Sequence, residues 1–161
     1  MPRMFCLPTV ASLLLPVLLA ACASSEPPPP PPTKVQLHYF ASQELNPSPG
    51  GEAAPVRVRL FELKNTTAFT RADYFSLVGN AQSVLASDLV EQDEVLIKPG
   101  DYLEVERTLD DNTRQLGVIA GYRDLDDAIW RQVISVPAHQ TTAIDVTLGK
   151  RALSVAPSPA P

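Results

Sequence analysis

The chain has 161 residues, with 13 basic and 18 acidic side chains and a formal net charge of −5 at pH 7. An acidic chain without a basic run is a poor candidate for binding nucleic acid or anionic lipid headgroups. The length suits one domain with its own hydrophobic core behind a short N-terminal segment.

The first 21 residues have the layout of a secretory signal peptide, because Arg3 precedes an apolar run that ends in Leu19-Ala20-Ala21-Cys22. The run falls short of the ~20 residues that cross a bilayer, and Pro16 interrupts it. The tetrapeptide resembles a bacterial lipoprotein box, which implies that Cys22 becomes the acylated first residue of the mature chain. An ordinary cleaved signal with a chance cysteine is the alternative. With Cys6 removed and Cys22 modified, no disulfide can stabilise the fold.

The residue after the cysteine indicates the membrane. In bacteria with two membranes an aspartate there tends to retain lipoproteins on the inner one, so Ala23 predicts an outer-membrane lipoprotein facing the periplasm. Several acyl chains, at ~0.8 kcal/mol per buried methylene, would hold the protein there durably. Residues 27–32 are six prolines, which predict an extended polyproline II spacer. At ~3.1 Å per residue, the segment 22–35 would reach roughly 40 Å.

Alternating apolar and polar residues predict the first strand at 35–39 and the second from Val56. At Phe61 the apolar residues change phase, which indicates a β-bulge near Leu60 or burial on both faces. Between the two strands, residues 41–55 contain Asn-Pro, Pro-Gly and Gly-Gly pairs and predict a long loop. Loops of that length are usually functional or disordered.

A helical insertion is predicted at 69–86, with a capping box from Thr70 to Asp73 and a stop at Gly79. The nearly all-apolar residues 116–122 predict a central strand covered on both sides. Further strands are predicted at 88–97, 102–106, 130–136 and 142–148, with a short helical turn at 124–128. About seven strands separated by regular turns favour a β-sandwich over residues 34–155, between a linker at 22–33 and a disordered tail at 156–161.

Few residues have catalytic potential. His38 and His139 have no ligand-spaced neighbour. Glu104 and Glu106 share a strand face, as a glycosidase pair could, but alternating charges also mark an ordinary solvated face. The acidic residues 124–127 lack the glycine and glutamate of a calcium loop. The sequence therefore predicts neither an enzyme nor a metal or cofactor site; the covalent lipid on Cys22 is the only expected group.

Six segments follow one pattern in one order, namely residues 56–64, 69–77, Asp88-Leu89, Lys98-Pro99-Gly100, 117–123 and Trp130-Arg131. This ordered set resembles the type VI secretion lipoprotein family, TssJ (also called VasD or Lip), over nearly the whole mature chain. The resemblance implies a transthyretin-like β-sandwich with a helical insertion.

The resemblance also implies a role in the trans-envelope complex of the secretion system, as its outer-membrane-anchored part. The implied partner is the periplasmic C-terminal region of the inner-membrane protein TssM, and the implied contact surface includes the loop between the first two strands. In this chain that loop is 41–55, with Leu45 as its apolar anchor. The predicted contact residues are Leu45, Asn46, Pro47, Gly50, Gly51 and Glu52.

Two other classes of protein remain open. One is a periplasmic module that binds a small ligand or a peptide at a sheet edge. The other is a pilotin-like assembly factor for an envelope machine, which would bind its client transiently.

Overall fold

The computed structural model describes residues 27–159, so the predicted signal peptide and Cys22 lie outside the described residues. Eight strands form two four-stranded sheets, and a helical segment is inserted between the second and third strands. The prediction of a mainly-β two-sheet sandwich with a small helical insertion is confirmed.

The strands are β1 (Lys34–Ala41), β2 (Val56–Leu63), β3 (Leu89–Ile97), β4 (Tyr102–Thr108), β5 (Gln115–Ala120), β6 (Arg131–Ser135), β7 (Thr141–Leu148) and β8 (Leu153–Pro157). The insertion consists of helices α1 (Thr67–Arg71) and α2 (Tyr74–Leu85), followed by a 3₁₀ turn (Ala86–Asp88).

The first sheet has the strand order β4-β1-β7-β8 and the second the order β3-β2-β5-β6. The pair β1 and β7 is parallel, and the other pairs are antiparallel. At one side of the sandwich a bridge between Ile129 and Ala152 joins the sheets. At the other side an ion pair between Arg107 and Asp93 connects edge strands β4 and β3. Contacts between the two sheets therefore connect both open sides of the sandwich.

The main core lies between the sheets and is filled by the alternate residues of each strand. Val35, Leu37 and Tyr39 of β1 are at most 3% exposed, which confirms the alternation read from the sequence. In β5, every residue from Leu116 to Ala120 is buried. The predicted central strand covered on both sides is therefore confirmed.

A second core explains the change of phase in β2. Helices α1 and α2 cover the outer face of the second sheet, where they bury its outward side chains. The members of this second core are Phe61, Leu63, Phe69, Leu77, Ala81, Leu85 and Ile119. Burial on both faces is therefore the correct alternative for Phe61. The bulge near Leu60 is wrong in position, since the register shifts between Glu62 and Leu63.

Two details of the helical insertion were predicted wrongly. Thr70 lies inside α1, where its Oγ1 donates to the Thr67 carbonyl at 3.2 Å. The residue that caps α2 is Asp73, whose Oδ1 accepts the backbone N–H of Ser76 at 2.9 Å. Gly79 does not end the helix, which kinks at Asn80 and continues to Leu85. Residues 124–128 form an irregular turn in place of the predicted helical turn.

The sandwich extends past both predicted boundaries. Thr33, assigned to the linker, is 1% exposed, and its carbonyl accepts the N–H of Leu109 at 2.9 Å. Strand β8 was not predicted; it pairs with β7 as far as Pro157, and the N–H of Ser158 donates to Ala143. The assignment of residues 156–158 to a disordered tail is therefore wrong, and the sandwich spans residues 33–158.

Candidate functional site

The linker and the long loop lie at opposite ends of the sandwich, because β1 connects them directly. At the linker end, the N–H of Lys34 donates to Gln140 at 2.8 Å. At the loop end, the N–H of Ser42 donates to Leu148 at 2.8 Å. Eight extended residues span roughly 25 Å. The loop end consists of residues 42–55, 98–101, 121–130 and 149–152.

Leu45, predicted as the apolar anchor of the contact loop, is a core residue. Its side chain is fully buried and packs in the core between the sheets. The backbone fixes it there, since the Leu45 N–H donates to Ser42 at 3.1 Å and its carbonyl accepts from Ala54 at 2.9 Å. A partner cannot reach this side chain unless the loop detaches from the sandwich.

Asn46 connects the loop to two other segments of the loop end. Its side-chain N–H donates to the Pro55 carbonyl at 2.9 Å, and its Oδ1 accepts the N–H of Arg123 at 2.8 Å. The Asn46 backbone N–H donates to Lys150 at 3.0 Å. Asn46 is 4% exposed and has a positive φ of 47°, which asparagine tolerates better than most residues. Its hydrogen bonds organise the surface, and little of this predicted contact residue is itself accessible.

The remaining predicted contact residues form the exposed tip of the loop, defined here as residues 47–53. Pro47 is partly exposed, and Gly50, Gly51 and Glu52 are exposed. The tip is a closed turn, in which the Ser48 N–H donates to Glu52 at 2.8 Å and the Gly51 N–H donates back to Ser48 at 2.9 Å. Gly51 has a φ of 87°, a conformation that strains other residues.

Charged side chains surround this tip. Lys150 approaches Glu44 at 3.4 Å, and the Arg151 Nε lies 3.4 Å from an Asp124 carboxylate oxygen. Behind them, the hydroxyl of Tyr122 donates to the Gly149 carbonyl at 3.2 Å, and burial raises the pKa of Tyr122 well above its ordinary value. The loop end therefore presents charged side chains, and hydrogen bonds stabilise the segments beneath them.

His38, Asp145 and Ser158 meet on the outer face of the first sheet, but not as a catalytic triad. Asp145 Oδ1 lies 3.1 Å from the Nδ1 of His38, and the Ser158 Oγ approaches the same Nδ1 at 3.3 Å. In a triad the serine contacts Nε2 while the carboxylate holds Nδ1. These contacts instead connect Ser158, which directly follows β8, to Asp145 of β7.

The other candidates for chemistry have ordinary surface partners. The Glu106 carboxylate accepts from Lys34 Nζ at 2.9 Å, and this hydrogen bond lowers its pKa, opposite to the shift of a general acid. The Tyr102 hydroxyl donates to Glu104, and His139 Nδ1 lies 3.0 Å from the Pro31 carbonyl. Within residues 27–159, no cluster of three or more His, Cys, Asp or Glu could hold a metal ion. In the same range, no helix is long and apolar enough to cross a membrane.

Sequence reasoning missed two arginines at the loop end. Arg123 and Arg151 lie beside the tip, although they are 28 positions apart in sequence. In the sequence, Arg123 lies only within one of the six segments that carry the family resemblance, and Arg151 follows the last predicted strand. Neither carries a signal of its own in the sequence, because their segments are brought together by tertiary contacts, among them the hydrogen bonds of Asn46 and the bond from the Ile129 N–H to the Arg151 carbonyl.

Comparisons with known proteins agree with one another. The model of the family described as "Type VI secretion lipoprotein, VasD, EvfM, TssJ, VC_A0113" matches residues 33–151. The chain is 57% identical to the type VI secretion lipoprotein TssJ1 from Pseudomonas aeruginosa, with a TM-score of 0.79 over 81% of this chain and 100% of that chain. For Serratia marcescens Lip, a membrane-bound component of the Type VI Secretion System, the identity is 26% and the TM-score 0.73, over 78% of this chain and 98% of that chain.

A further similar chain comes from the solved structure described as the T6SS protein TssM C-terminal domain from EAEC. It is 27% identical, with a TM-score of 0.62 over 76% of this chain and 99% of that chain. A comparison with curated protein sequences found no match.

Proposed function

The chain belongs to the type VI secretion lipoprotein family, and on that premise we propose that it is the outer-membrane tether of the type VI secretion membrane complex. Acyl chains on Cys22 would hold one end in the outer membrane. The sandwich would bind the periplasmic C-terminal region of a TssM-like protein that spans the inner membrane.

The observation that carries this proposal is that the linker and the tip of the long loop lie at opposite ends of the sandwich. The chain enters the domain at Thr33, and the tip of the long loop lies at the other end of β1. A protein held at its N-terminus therefore presents the tip away from its own membrane. This arrangement suits a tether between two membranes.

The loop is also built to bind at low entropic cost. The hydrogen bonds of Asn46 and the closed turn from Ser48 to Glu52 fix most of its backbone before a partner arrives. A surface ordered in advance loses less conformational entropy on association, so more of the contact energy appears as affinity. The occurrence of a similar chain in the structure described as the TssM C-terminal domain supports the choice of partner.

We assign the protein a structural role rather than a catalytic one. The lowered pKa of Glu106 does not suit proton donation, and the contacts of His38 do not suit activation of Ser158. The family match is likewise to a secretion lipoprotein.

The test is a binding titration between residues 27–159 and the periplasmic C-terminal region of the TssM-like protein from the same organism. Residues 33–158 contain both cores and every strand, so this segment should fold on its own. The informative variant replaces residues 49–51 with one glycine, which shortens the tip and leaves Leu45 and Asn46 in place.

We expect the unaltered domain to bind and the shortened variant to bind more weakly at an unchanged melting temperature. A domain of equal stability that fails to bind would contradict the tether. Equal binding by both forms would retain the tether and exclude residues 49–51 from its contact surface.

A further inference from the structure

We propose that a pocket beside the tip binds an acidic side chain of the partner, with Arg123 as its main recognition residue. The pocket has a volume of about 310 Å³ and is lined by Pro47, Pro49, Arg123, Asp124 and Arg151. The inference rests on the proposed function and adds to it the chemistry of the contact.

The charges of the pocket favour one anionic group. Asp124 faces Arg151 at 3.4 Å and offsets its charge. Arg123 is exposed, and its side chain makes no ion pair or hydrogen bond to the rest of the chain from 27 to 159. The pocket therefore has a net charge of about one positive unit on a protein whose formal net charge is −5. A single carboxylate would neutralise it.

The residue types suit a carboxylate, and the net charge of about one positive unit matches its single negative charge. A guanidinium offers a planar fork of N–H donors that matches the two oxygens of a carboxylate. Pro47 and Pro49 line the same pocket and provide apolar contact area beside the arginines.

The backbone that supports the two arginines is fixed. The Arg123 N–H donates to Asn46 Oδ1 at 2.8 Å, and the Arg151 carbonyl accepts the N–H of Ile129 at 2.9 Å. The residue before Arg123, Tyr122, is 3% exposed. Only the arginine side chains must be ordered on binding, which costs about 0.5–1.5 kcal/mol for each immobilised side chain.

The position of the pocket identifies the source of the carboxylate. The pocket lies at the loop end, whereas the linker that leads to the acylated residue joins the opposite end. A headgroup of the anchoring membrane is therefore on the wrong side of the domain. An aspartate or glutamate of the TssM-like partner, which approaches the loop end in the proposed complex, is the matching group.

The test is a titration of the soluble domain with the periplasmic region of the TssM-like protein. It is made at about 50 mM and about 300 mM salt, where the screening of charges is weak and strong, respectively. We expect Arg123→Ala to weaken binding on the order of ten-fold and Arg123→Glu on the order of a hundred-fold at low salt, because the second adds repulsion. Arg123→Lys should fall between wild type and Arg123→Ala, since lysine keeps the charge and loses the fork.

Lys64→Glu is the matched control, because it makes the same change of charge at an exposed residue of the linker end. It should reduce affinity far less than Arg123→Glu. Replacing each aspartate and glutamate of the partner in turn by lysine should then reveal one position that restores binding to Arg123→Glu.

The possible results of this titration distinguish a failure of the pocket proposal from a failure of the tether on which it rests. If the unaltered domain binds and Arg123→Ala and Arg123→Glu bind equally well, the pocket is not a contact site and the tether stands. If the unaltered domain does not bind, both proposals fail. If extending the partner by a few residues at its C-terminus abolishes the dependence on Arg123, the ligand is the terminal carboxylate, and the acidic side chain is excluded.

Discussion

The side-chain oxygen of Asn46 accepts the backbone N–H of Arg123 at 2.8 Å, across 77 positions of sequence. This hydrogen bond joins the loop between β1 and β2 to the segment after β5. The same side chain donates to Pro55 and thereby closes the base of its own loop. One buried amide thus sets the positions of both the tip and the pocket beside it.

We expect Asn46→Ala to destabilise the domain by about 2–4 kcal/mol, because two hydrogen bonds of a buried side chain are lost and alanine is strained at positive φ. Asn46→Gly loses the same bonds without that strain, so it should be less harmful by about 1 kcal/mol. Urea denaturation measures both changes. Equal stability of the two variants would show that the φ of 47° carries no strain.

Leu45→Ala should act on stability rather than directly on binding. Since Leu45 is fully buried between the sheets, its truncation should cost about 2–5 kcal/mol. Leu96→Ala is the control, because Leu96 is 57% exposed and its truncation should change stability by less than about 0.5 kcal/mol. If Leu45→Ala leaves the urea midpoint unchanged, Leu45 is not a core residue in solution.

The strands could be predicted from the sequence because their burial is periodic. The alternation in β1 and the apolar run of β5 each have one simple explanation, and both predictions are confirmed. Strand β8 was missed because only Leu153 is buried in it and two of its five residues are alanine and proline. Its place is set by pairing with β7, which no local pattern encodes.

The site could be located only in part. The Pro and Gly residues of 41–55 predicted a loop, and the structure retains Pro47, Gly50, Gly51 and Glu52 at an accessible tip. Leu45 was misplaced because a single leucine in a polar loop can face either the core or the solvent. Similarly, Thr70 and Asp73 both have side chains that cap helices, and the hydrogen bond to Ser76 alone decides between them.

Gly117→Ala should destabilise the second core. A Cβ on Gly117 would lie 2.6 Å from the Cζ of Phe69, inside van der Waals contact with a buried ring. Displacing that ring should cost about 1–3 kcal/mol, as overpacking generally does. Gly79→Ala is the matched control, because a Cβ there has no atom within 4 Å and alanine favours a helix.

Both glycine variants are compared by urea denaturation. Gly79→Ala should be neutral or stabilising by up to about 1 kcal/mol. A stability of Gly117→Ala equal to wild type would mean that Phe69 moves freely, and the packing of α1 on the second sheet would need revision.

Arg131 fastens helix α1 to the sheet. Its Nη1 donates to the carbonyls of Phe69 and Ala72 at 2.9 and 2.7 Å, and its guanidinium lies 4.7 Å from the Trp130 ring centroid. Arg131→Leu should cost about 1–3 kcal/mol, since both carbonyls lose a charged donor. Hydrogen exchange should show that the variant, compared with wild type, accelerates the opening of α1 more than that of β5. Uniform acceleration of all elements would instead assign Arg131 to the stability of the whole domain.

Asp145 should make the end of β8 sensitive to acid. Hydrogen bonds from Ser158 and then from His38, with the charge of His38, hold the pKa of Asp145 below its usual value of 3.8. A carboxyl with a lowered folded-state pKa stabilises the fold fully above its unfolded pKa, and this contribution disappears as pH falls through the lowered value. Stability should therefore decline below about pH 4.

Two variants test the origin of that decline. Ser158→Ala should raise the pKa of Asp145 towards its ordinary value, because the serine hydrogen bond is the largest cause of the shift. Asp145→Asn should reduce the loss of stability between about pH 5 and pH 2, since the titrating group is gone. Carbon-detected NMR of the carboxyl group measures the first effect, and urea denaturation across that range measures the second. An acid dependence identical to wild type in Asp145→Asn would assign the decline to other carboxylates, of which Asp73 and Asp110 also have lowered pKa values.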